Sequence, residues 1–254
     1  MFDAPLRKPM SLFGHTRTVV SSRHALIAPD GHVPSSFPGW KNATAFVLIS
    51  PAMGADFSQI RVAFDLAGGN AGFPADEHEH VVYVEAGECG IELADETISL
   101  TDGGYIFLPW HTAFAITGND ETRVTLFRKV FEFQAGFEPP PMIFGTASTI
   151  PGEPFLGNPR AILQTLLPVD PRYDMAVNLF TYQPGATLPF VETHIMEHGL
   201  LMLSGQGVYR LEESYYPVTA GDVIWMAPYC PQWFVAMGDE PASYLYYKDV
   251  HRLP

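Results

Sequence analysis

Apolar and polar positions in this chain alternate in short runs and almost never fall into a helical period. AFVLIS at 45–50, VVYVEA at 81–86, YIFLP at 105–109 and RVTLFRKVFEF at 123–133 are rich in β-branched and aromatic residues, with Gly, Pro, Asp and Asn between them. The second half has the same texture, in MAVNLFTYQ at 175–183, LLMLSG at 200–205, VIWMA at 223–227 and ASYLYYK at 242–248. Strands of this length and spacing predict an all-β protein built as a sandwich or barrel. One segment departs from the pattern: NPRAILQTLLP at 158–168 reads as a short helix. Pro139, Pro140 and Pro141 cannot continue a ladder, so they mark a linker between two β units.

The two units are copies of each other. His80, Gly87 and Gly103 recur as His198, Gly205 and Gly221 at a constant offset of 118 residues, and LTDGGYIFLPW (100–110) aligns without a gap on the segment from Val218. A 254-residue chain with this repeat divides into an N-terminal arm (1–24), a first barrel (25–137), a linker (138–154) and a second barrel (155–254). The arm is expected to pack on a neighbouring domain or subunit, and arms with free strand edges predict at least a homodimer.

The copies differ in chemistry. Glu192, His194, His198 and Gln232 of the second copy stand where the first has Pro74, Asp76, His80 and Phe114. Even spacing puts Glu192, His194, Met196 and His198 on one face of an extended segment and Glu197 on the other. One carboxylate, two imidazoles and one carboxamide turned into an apolar interior suit a divalent ion of intermediate hardness, manganese or iron before zinc. Tyr244, Tyr246 and Lys248 alternate onto one face of a final strand, and the offset matches Tyr244 and Lys248 to the apolar Leu126 and Val130. The second copy therefore reads as the site and the first as scaffold.

Composition narrows the partners. Lys and Arg number 14 against 28 Asp and Glu, a formal charge of −14, which excludes the basic face that nucleic acid or an anionic membrane needs. Cys89 and Cys230 lie in different copies without metal-type spacing and read as free thiols in a reducing compartment. With no apolar leader and no run of about 18 apolar residues, the expected location is the cytoplasm.

H198-x6-G205 followed by G221-D222-x4-A-P resembles the two motifs of the cupin superfamily, G-x5-H-x-H-x3-4-E-x6-G and G-x5-P-x-G-x2-H. Glu192 takes the first His place, His194 the second, His198 the Glu place and Gln232 the last His place, while Ala227 and Tyr229 replace a Pro and a Gly. This E-x-H-x3-H plus Gln pattern in the second half of a bicupin is similar to the (S)-ureidoglycine aminohydrolase family. APDGHVPSSFPGWKN (28–42), VETHIMEHG (191–199), LSGQGVY (203–209) and YLYYKDV (244–250) share the likeness, which runs from about residue 20 onward. The resemblance implies two tandem jelly-roll barrels and a Mn(2+) ion on Glu192, His194, His198 and Gln232. It implies substrate contacts from Glu192, Gln232, Tyr209, Tyr244 and Lys248, with Lys248 and Tyr244 as the catalytic pair. The implied reaction converts (S)-ureidoglycine and water to (S)-ureidoglycolate and ammonia in allantoin and purine breakdown. An ion of charge +2 beside one carboxylate and one lysine leaves a net positive pocket, which favours a small anionic ureido substrate.

Two other readings share the ligand set: an Fe(II)-dependent bicupin dioxygenase, and a non-catalytic module that binds a small ligand. Other candidates carry less. Glu77, His78, Glu79 and His80 resemble a metal cluster in composition, but alternation divides them between two faces. Cys230 has no histidine at nucleophile spacing, and no phosphate-loop or dinucleotide fingerprint occurs.

Overall fold

A computed structural model describes residues 16–252, so the first 15 residues of the arm lie outside the described residues. Among the described residues, twenty-two short strands and three single-turn 3-10 helices make two barrels, as the alternating pattern requires. In the first barrel a seven-stranded sheet containing Phe57–Phe64, His78–Ala86, Gly104–Leu108 and Arg123–Val130 faces a four-stranded sheet that includes Phe114–Gly118. In the second, an eight-stranded sheet faces a three-stranded one. The larger sheet holds Met175–Tyr182, His198–Ser204, Val223–Met226 and Ala242–Asp249; the smaller holds Gln206–Leu211, Ser214–Thr219 and Gln232–Met237. No helix among the described residues is long and apolar enough to cross a membrane.

Each large sheet is buried on both faces, and alternation sorts its side chains. In the first barrel Val82 and Val84 fill the interior while Val81 and Tyr83 enter a seam between the barrels. In the second, Leu200 and Met202 point inward and Leu201 enters the seam. Phe57 of the first barrel stacks on Tyr247 of the second at 4.1 Å between ring centroids, with Phe127 behind. Gly199 is required there, because a Cβ at that position would lie 2.5 Å from the Phe57 ring. The seam also buries charge: Lys129 Nζ bonds Asp174 Oδ2 at 2.8 Å, and burial, reinforced by Asp174, pushes Glu79 well above the usual carboxylate range.

The barrels exchange strands. His24–Ile27, at the boundary read between the arm and the first barrel, pairs with Val223–Met226 of the second barrel. Ile143–Thr146 lies within the span read as linker, ahead of the second copy, and pairs with Gly104–Leu108 of the first. The described part of the arm therefore packs on the far barrel of its own chain, where Arg17 grips the buried Asp222 carboxylate through two bonds of 2.5 and 2.7 Å.

Two expectations need correction. Asn158–Thr165 is a strand, not a helix: its apolar residues pair across from Met175–Tyr182, and sheet partners outweigh local preference in so short a run. The constant offset also fails in the final strand of each barrel. Lys248 pairs with His198, whereas the residue paired with His80 is Arg128, so the counterpart of Lys248 is Arg128 and not Val130. Tyr246 and Leu126 correspond in the same way, opposite Leu200 and Val82, and Tyr244 corresponds to Val124. Ser243 and Arg123, opposite Ser204 and Ala86, keep the same correspondence, so the extra residues lie in the loop before the final strand of the second barrel, and the register irregularities near Met202 and Arg123 fall at matching places.

Candidate active site

The second barrel opens on a cavity of about 140 Å³ lined by Glu192, His194, Met196, His198, Tyr209, Gln232, Tyr244, Tyr246 and Lys248, with apolar walls from Phe155, Phe180, Leu188 and Met226. Every site residue expected from the sequence lines this one cavity. It lies well below the ~300–1,000 Å³ of drug-sized pockets, which restricts an occupant to a small molecule.

Both sheets contribute. His198 opens its strand between Met226 and Lys248, so these three side chains emerge side by side on the inner face. Glu192 belongs to no long strand. It pairs with Gln232 of the smaller sheet, each backbone N–H donating to the other's carbonyl at 2.8 and 2.9 Å, which turns their side chains the same way. The chain thus crosses from one sheet to the other between Glu192 and His198. The parity argument put them on one face of an extended segment; here they face one cavity from opposite walls. Met196 follows the expected parity into the cavity, and Glu197 points to the seam, where Trp225 Nε1 donates to it at 2.7 Å.

The polar atoms converge. His194 Nε2 stands 3.1 Å from His198 Nε2 and 3.1 Å from Gln232 Nε2, while Tyr209 donates to Gln232 Oε1 at 3.1 Å. Tyr244 bonds Tyr182 at 3.1 Å, hydroxyl to hydroxyl. The Glu192 carboxylate and the Lys248 ammonium line the same cavity without a side-chain hydrogen bond among the described residues. Burial sets their proton affinities. It lowers His198 well below its ordinary value, helped by His194 and Lys248, and it lowers His194. Burial also lowers Lys248, against the pull of Glu192, and raises Glu192. The imidazoles are therefore held neutral with lone pairs available.

One backbone device recurs in both barrels. Tyr229 has φ of 60° and donates its N–H to the His194 carbonyl at 2.7 Å; His111 has φ of 57° and donates to the Asp76 carbonyl at 2.8 Å. Left-handed backbone at this place explains why a glycine stands there in the cupin motif.

The first barrel keeps this frame and fills the cavity. Arg128 Nη2 bonds Asp76, which stands in the place of His194, at 2.6 Å, and His78 bonds the same carboxylate. The cation was retained and neutralised, which corrects the expectation of an apolar counterpart. Asp76, Glu77 and His78 bring their ligand atoms within 4.8 Å of one another, but Arg128 already occupies Asp76. His80 stands apart, edge-on to Phe73 and Phe114, both of its ring nitrogens buried without a partner. Cys230 is buried, and burial pushes its thiol up to about 11, which removes it as a nucleophile.

Sequence reasoning missed the apolar walls Phe155, Phe180 and Leu188 and the buried Asn178 beyond Lys248. A lone amide within the apolar run MAVNLF was the available signal for Asn178.

A cupin domain model matches residues 178–247. An (S)-ureidoglycine aminohydrolase of Arabidopsis thaliana is 36% identical over 95% of this chain and 80% of its own length. Another, from Escherichia coli (strain K12), is 33% identical over 95% of this chain and 94% of its own. The crystal structure of protein Ylba from E. coli superimposes with a TM-score of 0.84 at 30% identity, covering 94% of this chain and 96% of that one. With two barrels, one furnished cavity and relatives matched over 80% and 94% of their lengths, the chain belongs to the (S)-ureidoglycine aminohydrolase family of bicupin enzymes.

Proposed function

We propose that this protein is a manganese-dependent hydrolase that converts (S)-ureidoglycine and water to (S)-ureidoglycolate and ammonia, within allantoin and purine catabolism. The observation that carries the proposal is the convergence of His194, His198, Gln232, Glu192 and Lys248 on one small cavity.

The donor set fits a divalent ion. Two neutral imidazoles whose Nε2 atoms approach to 3.1 Å would hold one divalent ion between them. Gln232 would join through Oε1 with its amide turned over, and Tyr209, able to donate or accept, would keep its bond in either orientation. Glu192 supplies the one negative charge. When bound, the ion supplies Lewis acidity and a template for a chelating substrate.

The remaining work falls to the chain. Apolar walls from Phe155, Phe180 and Leu188 exclude bulk water and strengthen the charge contacts inside. Lys248 offers an ammonium to the substrate carboxylate, and its lowered proton affinity equips it to pass a proton to the departing amine. Tyr244 is held by Tyr182 with its phenol protonated, a hydrogen-bond donor facing the cavity. The C–N bond to the α-amine breaks, a C–O bond to water forms, and the nitrogen leaves as ammonia.

The test supplies the unstable substrate in place. Metal-loaded protein is mixed with allantoate and an allantoate amidohydrolase, and ammonia and dissolved oxygen are followed together. Ammonia beyond that from the amidohydrolase alone, with no oxygen consumed, supports the proposal. Oxygen uptake would replace it with the dioxygenase reading, and neither change would leave only ligand binding.

A further inference from the structure

Lys248 stands between two cavities. Beyond it lies a second space of about 250 Å³, lined by Leu163, Thr165, Met175, Asn178 and Val250 among others, with Lys248 as the residue common to both. The register explains the contact. Asn178 pairs with Tyr246 and Ala176 with Lys248, so Asn178 and Lys248 are diagonal neighbours on the inner face of adjacent strands, within reach of one bound molecule.

Asn178 is buried between the apolar Val177 and Leu179, and its Oδ1 has no hydrogen-bond partner among the described residues. Across the strands it stands opposite Tyr246, on the face it shares with Lys248. A buried carbonyl without a donor costs on the order of 1–3 kcal/mol, a cost that a ligand N–H removes. An ammonium and an amide oxygen side by side make a donor and an acceptor, the complement of a group that carries C=O and N–H₂ on one carbon.

Resting on the function proposed above, we propose that Asn178 reads the terminal amide of the substrate's ureido arm. Its Oδ1 accepts an N–H from the –CO–NH₂ end, while Lys248, with three N–H donors, serves the ureido carbonyl as well as the carboxylate. The arm runs from the first cavity into the second past Lys248. Asn178 then sets specificity for ureido over acyl substituents: a methyl in place of the terminal –NH₂ leaves the Asn178 oxygen buried and unpaired.

Two stable molecules of nearly equal shape test this, N-carbamoylglycine and N-acetylglycine, which differ only in –NH₂ against –CH₃ at the end of the arm. Their binding to the manganese-loaded full chain is measured by calorimetry, with metal content determined in parallel. The wild type is expected to prefer N-carbamoylglycine by about tenfold. Asn178→Leu, similar in volume but without an acceptor, is expected to bring the two within about twofold while metal content stays unchanged. Should Asn178→Leu not fold, Asn178→Ala carries the same expectation. A preference that survives the substitution overturns the Asn178 assignment and leaves the function proposal standing. Failure of the wild type to bind either compound removes both.

Discussion

Replacing His80 by leucine raises the stability of this chain, and raises it further in acid. His80 is 1% exposed, packed edge-on against Phe73 and Phe114, and neither ring nitrogen has a partner among the described residues. Leucine has nearly the volume of the imidazole, so little cavity is created. Removing a buried polar group without a partner returns about 1–3 kcal/mol at neutral pH. The acid contribution follows from titration. Burial lowers His80 from 6.5 to about 3, with Arg128 adding to the shift. Because the folded value is the depressed one, the unfolded chain takes up the proton first. The stability associated with neutral His80 is complete above pH 6.5 and is lost as pH falls toward 3, at about 1.4 kcal/mol per pH unit. At pH 5 the loss is about 2 kcal/mol, and His80→Leu escapes it. Urea unfolding of both proteins at pH 7.5 and pH 5.0, followed by tryptophan fluorescence, gives a double difference that isolates His80 from the other titrating groups. An unchanged gap between the two pH values would refute the reasoning and mean that His80 is hydrated or liganded. A simultaneous loss of bound metal would mean that the first barrel holds an ion.

Metal analysis of the manganese-loaded chain is expected to give about one ion per chain, abolished by His194→Ala and untouched by His80→Leu; two ions per chain would contradict the assignment of the first barrel as scaffold. Lys248→Met is expected to leave metal content intact and cut turnover at least about a hundredfold, the scale of a charged contact at a reacting centre, and near-native turnover would reduce Lys248 to a charge at the barrel mouth. Its counterpart substitution, Arg128→Met, is expected to leave turnover unchanged and lower the melting temperature, because Asp76 loses its ion-pair partner. Arg17→Ala is expected to cost about 1–2 kcal/mol in chemical unfolding by stripping the buried Asp222 of its arginine, discounted for the 41% exposure of Arg17.

Much of this molecule was legible in its sequence. Alternation gave the β class, and the repeat between His80 and His198 gave two barrels with unequal chemistry. That Glu192, His194, His198 and Gln232 share one cavity was legible because Phe114 stands where Gln232 does, an aromatic ring in place of a polar side chain. What stayed hidden depends on pairing between distant segments. No local signal says that His24–Ile27 joins the far barrel, since an apolar strand reads alike beside either neighbour. A constant offset could not register the slip that sets Arg128 opposite His80, so the internal ion pair with Asp76 was invisible. Asn158–Thr165 misled because a run of Ala, Ile, Leu and Gln suits a helix when nothing is known of its sheet neighbours.

The central claim is that the second barrel positions ureidoglycine for stereospecific loss of its α-amine. The most direct measurement resolves the enantiomers of ureidoglycolate formed by the manganese-loaded protein from ureidoglycine generated in place. The (S) enantiomer alone is expected, formed by the wild type and lost with His194→Ala. A racemic product, or (S)-ureidoglycolate formed equally well by His194→Ala, would contradict it.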